Sequence, residues 1–433
     1  MTKLTRRDFL YLGGQLSLAA AIPTNLSNLL PRLTIFSPTS VDAPKDILVL
    51  IFQRGGMDGL NTVIPFTEGE YYNQRPSLAI SEPKAGDDKT AIDLDGYFGF
   101  HPSLRPLKDF WDEGELAVVH ACGSPDPTHS HFDAMDYMER GTPGEKSLSS
   151  GWLARHLQTA AGGNDSPFRA VSISGMLPGS LRGPVPALAL KSIADFHLGG
   201  KMRSAEVLAG FQNSLGSLYQ SANSSAGGPD LNSLASAAAL TINTTETLEA
   251  AIQGEYIPTG GVFYPESEFG QAMKQIAQLI KADLGLEIAT VDIGGWDTHI
   301  SQGTLDGTFP TLLGDFAGGL AAFYTDLGEL TKRVTIVSIS EFGRRLQENG
   351  NAGTDHGHGN VMFILGGGVN GGKVFTDWPG LETDSLYGPG DLEITTDYRD
   401  VLAEIMKNRL MNNRIEEIFP GYEPKSLGVI KPT

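Results

Sequence analysis

The sequence predicts an α/β protein with a doubly wound, mostly parallel central sheet flanked by helices and a mainly helical insertion. Three observations predict it. Six short, continuous apolar runs alternate with helical patterns along most of the chain, as in sheets covered on both faces. The 433 residues are 40% hydrophobic, enough for a large core. Fifty-three glycines and a charged fraction of 19% suit many short loops.

Residues 1–23 are set apart. Thr5-Arg6-Arg7-Asp8-Phe9-Leu10 precedes a mildly apolar run, then Ala19-Ala20-Ala21 and Pro23. The run is too short to span a bilayer as a stable helix. It resembles a twin-arginine export signal, which implies the twin-arginine machinery as a partner and a periplasmic or secreted protein, exported already folded. Residues 24–44 read as a linker. No later segment has 18 uninterrupted apolar residues, so no stable membrane span is expected after cleavage.

The first strand is expected at 47–52, Ile-Leu-Val-Leu-Ile-Phe, followed at once by Arg54-Gly55-Gly56-Met57-Asp58-Gly59 as a tight turn. Similar runs at 116–120, 170–173, 286–293, 334–339 and 361–365 predict the other strands. Helices are expected at 102–111, 134–140, 151–160, 269–282, 311–330 and 398–410. Residues 179–265 are rich in Ser, Ala, Asn and Gly and read as a mostly helical insertion or cap. The main domain runs from 45 to 411, and 412–433 form a short tail.

Composition excludes several functions. A single cysteine rules out a disulfide framework or a multi-thiolate zinc site. A formal charge of −19 argues against nucleic acid, which requires basic patches.

Ligands of open α/β sheets bind at strand carboxyl ends, and four polar clusters stand at such places. They are Asp58, Gly294-Gly295-Trp296-Asp297-Thr298-His299, Ser340-Glu341-Phe342-Gly343-Arg344 and Gly353-Thr354-Asp355-His356-Gly357-His358. Carboxylate plus imidazole suits Zn²⁺, Mn²⁺ or Mg²⁺. Each has a structural alternative. Asp58-Gly59 is a common turn dipeptide, Asp297 can cap a helix beside a loop histidine, and Glu341 can cap a helix through Leu346.

Taken together, Gly55-Gly56-Met57-Asp58-Gly59-Leu60-Asn61, Gly295-Trp296-Asp297-Thr298-His299, Ser340-Glu341-Phe342-Gly343-Arg344 and Thr354-Asp355-His356-Gly357 resemble the exported bacterial domain-of-unknown-function family 1501. That family is related to the alkaline phosphatase and sulfatase superfamily, and the resemblance runs from about residue 45 to 410. It implies a central mixed sheet with a metal-assisted site at its strand ends. By this resemblance Asp58, Asp355 and His356 hold a first metal, and Asp297 and His299 hold a second. The superfamily's further downstream histidine has one counterpart here, His358, the last histidine in the chain. One or two divalent ions are expected, zinc first, with Mg, Mn or Ca as alternatives.

The superfamily's nucleophile opens a helix after the second strand. Here that segment reads Gly123-Ser124-Pro125-Asp126-Pro127-Thr128-His129-Ser130-His131. Ser130 is the preferred hydroxyl and Thr128 the second; both also suit N-cap roles. His129 and His131 are candidates for metal or for the transferred group. Arg54 or Arg344 would neutralise charge on the substrate. Cys122-Gly123-Ser124-Pro125-Asp126 misses the spacing of formylglycine sulfatases, and Cys122 reads as a core thiol. The expected function is hydrolysis of small phosphate or related anionic esters through a metal-activated hydroxyl. The alternative is a non-catalytic exported binding protein with one structural metal. A serine hydrolase is disfavoured, because Ser172-Ile173-Ser174-Gly175 lacks the leading glycine of the nucleophile elbow.

Overall fold

The computed structural model describes residues 45–193 and 255–432, with 244, 247 and 248 between them. The expected signal peptide, the linker and most of the insertion lie outside the described residues. Nearly all that is described belongs to one compact unit, Pro44–Ala189 with Tyr256–Thr433.

Along the chain the strands are β1 (Ile47–Arg54), β2 (Val63–Pro65), β3 (Ile92–Asp93), β4 (Phe98–Phe100), β5 (Leu116–Gly123), β6 (Ala170–Ile173) and β7 (Leu188–Leu190). They continue as β8 (Ile288–Gly294), β9 (Val334–Ile339), β10 (Arg344–Glu348), β11 (Thr354–His356), β12 (Asn360–Gly366), β13 (Lys373–Phe375) and β14 (Thr396–Asp397). The main sheet is ordered β13-β5-β12-β9-β1-β8-β6-β7, with β14 also beside β5. β1 pairs parallel with β8 and β9, β6 with β8, and β13 and β14 with β5.

All six expected strands are present, and the sheet is mostly parallel. One strand makes the sheet mixed: β12 is antiparallel to both β5 and β9. The cause lies in the connection. A parallel return needs a crossover, usually a helix, but the chain between β9 and β12 folds into the β10–β11 hairpin. The same hairpin replaces the helix through Leu346, because 344–348 is strand.

This reversal positions the site. β5, β9, β1 and β8 run one way and β12 the other, so one edge of the sheet collects four carboxyl ends and the amino end of β12. All four polar clusters therefore arrive at the same edge.

The core explains why β1 is so apolar. Every residue from Ile47 to Gln53 is buried, with both faces covered. Leu48, Leu50 and Phe52 pack in one cluster with Trp152, Leu153 and Leu157 of helix Trp152–Thr159 and with Tyr398, Val401 and Leu402 of helix Tyr398–Asn408. On the other face helix Thr308–Leu327 sets Phe316 against Phe363 of β12, ring centroids 5.6 Å apart. The expected tail is part of this core: Phe419 stacks on Trp152 at 5.8 Å, and Val429 and Ile430 are buried. The described ends of the insertion hold two 3-10 turns, Gly179–Leu181 and Thr259–Gly261. No helix among the described residues is long and apolar enough to cross a membrane.

Candidate metal centre

β8 ends at Gly294, and the chain then delivers Asp297 and His299. Two glycines let the loops approach. Gly55 after β1 has φ +124°, and a Cβ there would lie 2.6 Å from the Asp297 nitrogen. A Cβ on Gly353 would lie 2.4 Å from the His299 carbonyl carbon. Any larger residue would push the ligand loops apart.

Three imidazoles converge on Asp297. His131, at the start of helix His131–Arg140, places Nε2 3.5 Å from Asp297 Oδ2. His356, at the end of β11, places Nε2 3.1 Å from Asp297 Oδ1. His299 Nε2 lies 3.1 Å from the same oxygen and 2.9 Å from His356 Nε2. Ligand atoms of His131, Asp297 and His356 all lie within 4.8 Å of one another. Phe342 walls the group, with ring centroids 4.8 Å from His131 and 4.7 Å from His356.

The other ring nitrogens decide the tautomers. His131 Nδ1 is 2.7 Å from Glu341 Oε1, His299 Nδ1 is 3.0 Å from Asp355 Oδ1, and His356 Nδ1 is 2.9 Å from the His129 carbonyl. Each partner is an acceptor, so each Nδ1 carries a proton and each neutral ring turns a bare Nε2 inward. Two lone pairs 2.9 Å apart, both beside a carboxylate, repel unless a cation lies between them. Ligands about 2.0–2.1 Å from a zinc ion would be about 3.0 Å apart at an octahedral edge and about 3.4 Å apart at a tetrahedral one. The four shortest contacts among the donors, 2.9–3.5 Å, fall close to that range. This donor set fits a transition ion better than Ca²⁺ or Mg²⁺, which favour all-oxygen shells.

The supporting groups are well fixed. Glu341 is buried and also accepts from the Gly55 N–H at 2.8 Å. Asn349 Nδ2 donates to Asp355 Oδ1 and to the His299 carbonyl, both at 3.0 Å. Burial works to raise the Asp297 carboxyl, but the hydrogen bond and charge of the Arg344 guanidinium outweigh it and hold the group at about 2. The Glu341 bond raises His131, whereas burial lowers His356.

Of the residues the sequence singled out, Asp297, His299, Asp355 and His356 come together, with Asp355 behind His299. Asp58 does not join them. It caps the short helix Gly59–Thr62 and points into the core, where Arg75 Nη1 and Gln302 Nε2 both reach its Oδ2 at 2.7 Å. His358 is also elsewhere, buried and stacked on Tyr387 at 4.4 Å, and burial pushes it to about 4. Among the described residues the donors thus define one candidate cation site, where one or two ions were expected.

Neither arginine is a free cation. Arg344 is buried and spends its guanidinium on the carbonyls of Gly56, Thr354, Gly55 and Trp296 and on Asp297 Oδ1. It therefore positions Asp297. Arg54 is paired with Glu139 and Asp292, both at 2.7 Å. Ser130 caps the helix that begins at His131, accepting from the Asp133 N–H at 3.5 Å, and Thr128 accepts from the Ser130 N–H at 3.2 Å. The N-cap role is thus real for Ser130, which stands directly before His131, whereas Thr128 closes a turn ahead of the helix. Cys122 is a buried free thiol, 3.4 Å from Met362 Sδ.

The parts that sequence reasoning missed are the roles of Glu341 and Gln302. Glu341 had a signal, since it follows β9 at the ligand edge. Gln302 had none.

A family model described as a protein of unknown function (DUF1501) matches residues 45–414, and the chain belongs to that family. Among curated proteins none matches. Among solved structures the chain is similar to the PsFucS1 sulfatase from Pseudoalteromonas sp., at 10% identity over 90% of this chain and 71% of that one, with a TM-score of 0.36.

Proposed function

We propose that the chain is an exported, metal-dependent hydrolase of phosphate or related anionic esters. What supports this is the convergence of three bare Nε2 atoms on Asp297, each ring fixed from behind by an acceptor. His131, Asp297, His299 and His356 would hold the ion. Glu341, Asp355 and the His129 carbonyl would keep the rings turned inward, and Arg344 would keep Asp297 in place. A bound divalent ion supplies a Lewis acid that polarises the ester and lowers the pKa of a hydroxyl. With Arg54 and Arg344 already paired, a chain of charge −19 draws an anion through that ion. Ser130, which directly precedes His131 in the chain, is the proposed hydroxyl nucleophile, with Thr128 second. Export rests on the Arg6-Arg7 motif and implies a periplasmic or secreted enzyme.

The test is metal analysis of protein purified without chelator, followed by turnover of a panel of phosphate and sulfate esters with and without chelation. One transition ion per chain, chelator-sensitive turnover, and loss of both in Asp297→Asn are expected. No bound ion together with full turnover in Asp297→Asn would end this proposal. Two observations favour the non-catalytic alternative: Asp58 and His358 stand apart, leaving a single candidate metal site among the described residues, and Ser130 is engaged as a cap. A bound ion with no turnover on any ester would select that alternative.

A further inference from the structure

Behind the ligands lies a buried polar chain that the proposed chemistry does not use. Asp58 and Gln302 are both fully buried. Gln302 Nε2 donates to Asp58 Oδ2 at 2.7 Å. Its other face, Oε1, accepts from Thr298 Oγ1 at 2.9 Å and from Thr354 Oγ1 at 2.7 Å. Thr298 separates Asp297 from His299, and Thr354 precedes Asp355 and His356. One amide therefore clasps the two segments that carry most of the ligand set. The backbone repeats the clasp: Thr354 N–H donates to the Thr298 carbonyl at 3.2 Å, and Gln302 N–H to the Ala352 carbonyl at 2.8 Å.

We propose that Asp58 and Gln302 are positioning residues of the metal centre, setting the distance between the Asp297–His299 loop and the strand that carries His356. A carboxylate can only accept, so it obliges Gln302 to face it with the amide nitrogen. The amide oxygen is then turned toward both threonine hydroxyls. Were the amide reversed, an oxygen would face the buried carboxylate and two hydroxyls would lose their acceptor. Asp58 acts on the hairpin by a second route. Arg75, paired with it at 2.7 Å, donates to the Leu346 carbonyl through Nε and to the Arg345 carbonyl through Nη2, both at 2.8 Å. Those carbonyls belong to β10, in which Arg344 is paired with His356 across the hairpin. The residue with the sequence profile of a first ligand thus holds the ligands in register from behind.

This inference rests on the proposed metal centre, and its test separates the two. Co²⁺ is titrated into the metal-free full chain, with visible absorption and affinity as readouts and apo melting temperature as the control. The variants are Thr298→Val with Thr354→Val, the conservative pair Thr298→Ser with Thr354→Ser, and Gln302→Met. The valine pair is expected to weaken Co²⁺ binding about 10–100-fold and to alter the absorption bands. The serine pair keeps both hydroxyls and should match wild type, which separates register from bulk stability. Gln302→Met should resemble the valine pair. If wild type binds no Co²⁺, the metal centre itself fails. If wild type binds and the valine pair and Gln302→Met bind as tightly with unchanged spectra, the positioning role is overturned. If the valine pair does not fold, Gln302→Met and the serine pair decide it: equal spectra in both, matching wild type, also overturn it.

Discussion

Acid should destabilise this fold steeply, through three histidines that lie outside the metal centre. Burial pushes His101, His120 and His156 down to about 4. The geometry shows why each is held neutral. His101 Nδ1 accepts from the Ser103 N–H at 3.0 Å, His120 Nδ1 from the Ala121 N–H at 2.7 Å, and His156 Nδ1 from the Asn412 amide at 3.1 Å. A proton added at Nδ1 would face another N–H with no acceptor left. In the unfolded chain the same rings titrate near 6.5, so the unfolded state binds more protons and acid favours it. The stabilisation is full above about pH 6.5 and is lost as pH falls from there toward 4. Between pH 7 and 5.5 each ring accounts for about 1.2 kcal/mol, and the three together for about 4 kcal/mol. His358, also near 4, adds to the loss, whereas His131, raised by Glu341, opposes it. Against a typical total of about 5–15 kcal/mol, the change is large. Urea unfolding at both pH values, with chelator present, measures it, and His120→Gln should recover roughly a third. A loss under about 1 kcal/mol, or a pH dependence unchanged in His120→Gln, would refute the reasoning.

Other consequences are direct. Arg75→Met leaves the buried Asp58 carboxylate without its cation and should cost about 3–5 kcal/mol in urea unfolding at pH 7, while Arg75→Met with Asp58→Asn should recover part of that. Glu341→Ala frees the His131 ring and should weaken Co²⁺ binding about 10–100-fold, read by titration against a folded circular dichroism spectrum. Gly55→Ala sets a Cβ against the Asp297 nitrogen at φ +124°. It should lower stability by about 1–3 kcal/mol and reduce metal occupancy, measured by melting and metal analysis.

Much of the fold was legible because buried strands and amphipathic helices write themselves as local periodicities. Val334–Ile339 is six apolar or small residues in a row, and all six are buried. The direction of β12 was not legible, since Asn360–Gly366 is buried throughout and such a run reads alike either way. At the site, adjacency in motifs revealed which residues belong to the ligand edge, because Asp297-Thr298-His299 and Asp355-His356 bring their partners with them. Side-chain direction was not encoded in that way. Asp58 follows β1 as a ligand would, but its backbone enters a helix at once, and the cap turns its carboxylate inward to Arg75. His131 and Glu341 meet across 210 residues, a distance no local pattern spans.

Charge balance favours a divalent ion over protons as the cation that the proposed centre would hold. Asp297, Asp355 and Glu341 bring three formal negative charges within hydrogen-bond reach of the rings, and Arg344 returns one positive charge. Two negative charges remain. Protons alone would have to place two imidazolium groups among three rings whose centroids stand 4.4 Å and 4.6 Å apart, in a protein where burial already disfavours a charged His356. Like charges that close oppose each other's ionisation. One divalent ion would supply the same charge at a single point, and the Nε2 atoms that the acceptors behind the rings leave bare would hold it, which would remove the repulsion between them. A site so balanced binds its ion more tightly as pH rises through the imidazole range, because protons compete for the same lone pairs. Co²⁺ affinity that stayed flat between pH 5.5 and 7.5 would mean that the imidazoles are not its ligands.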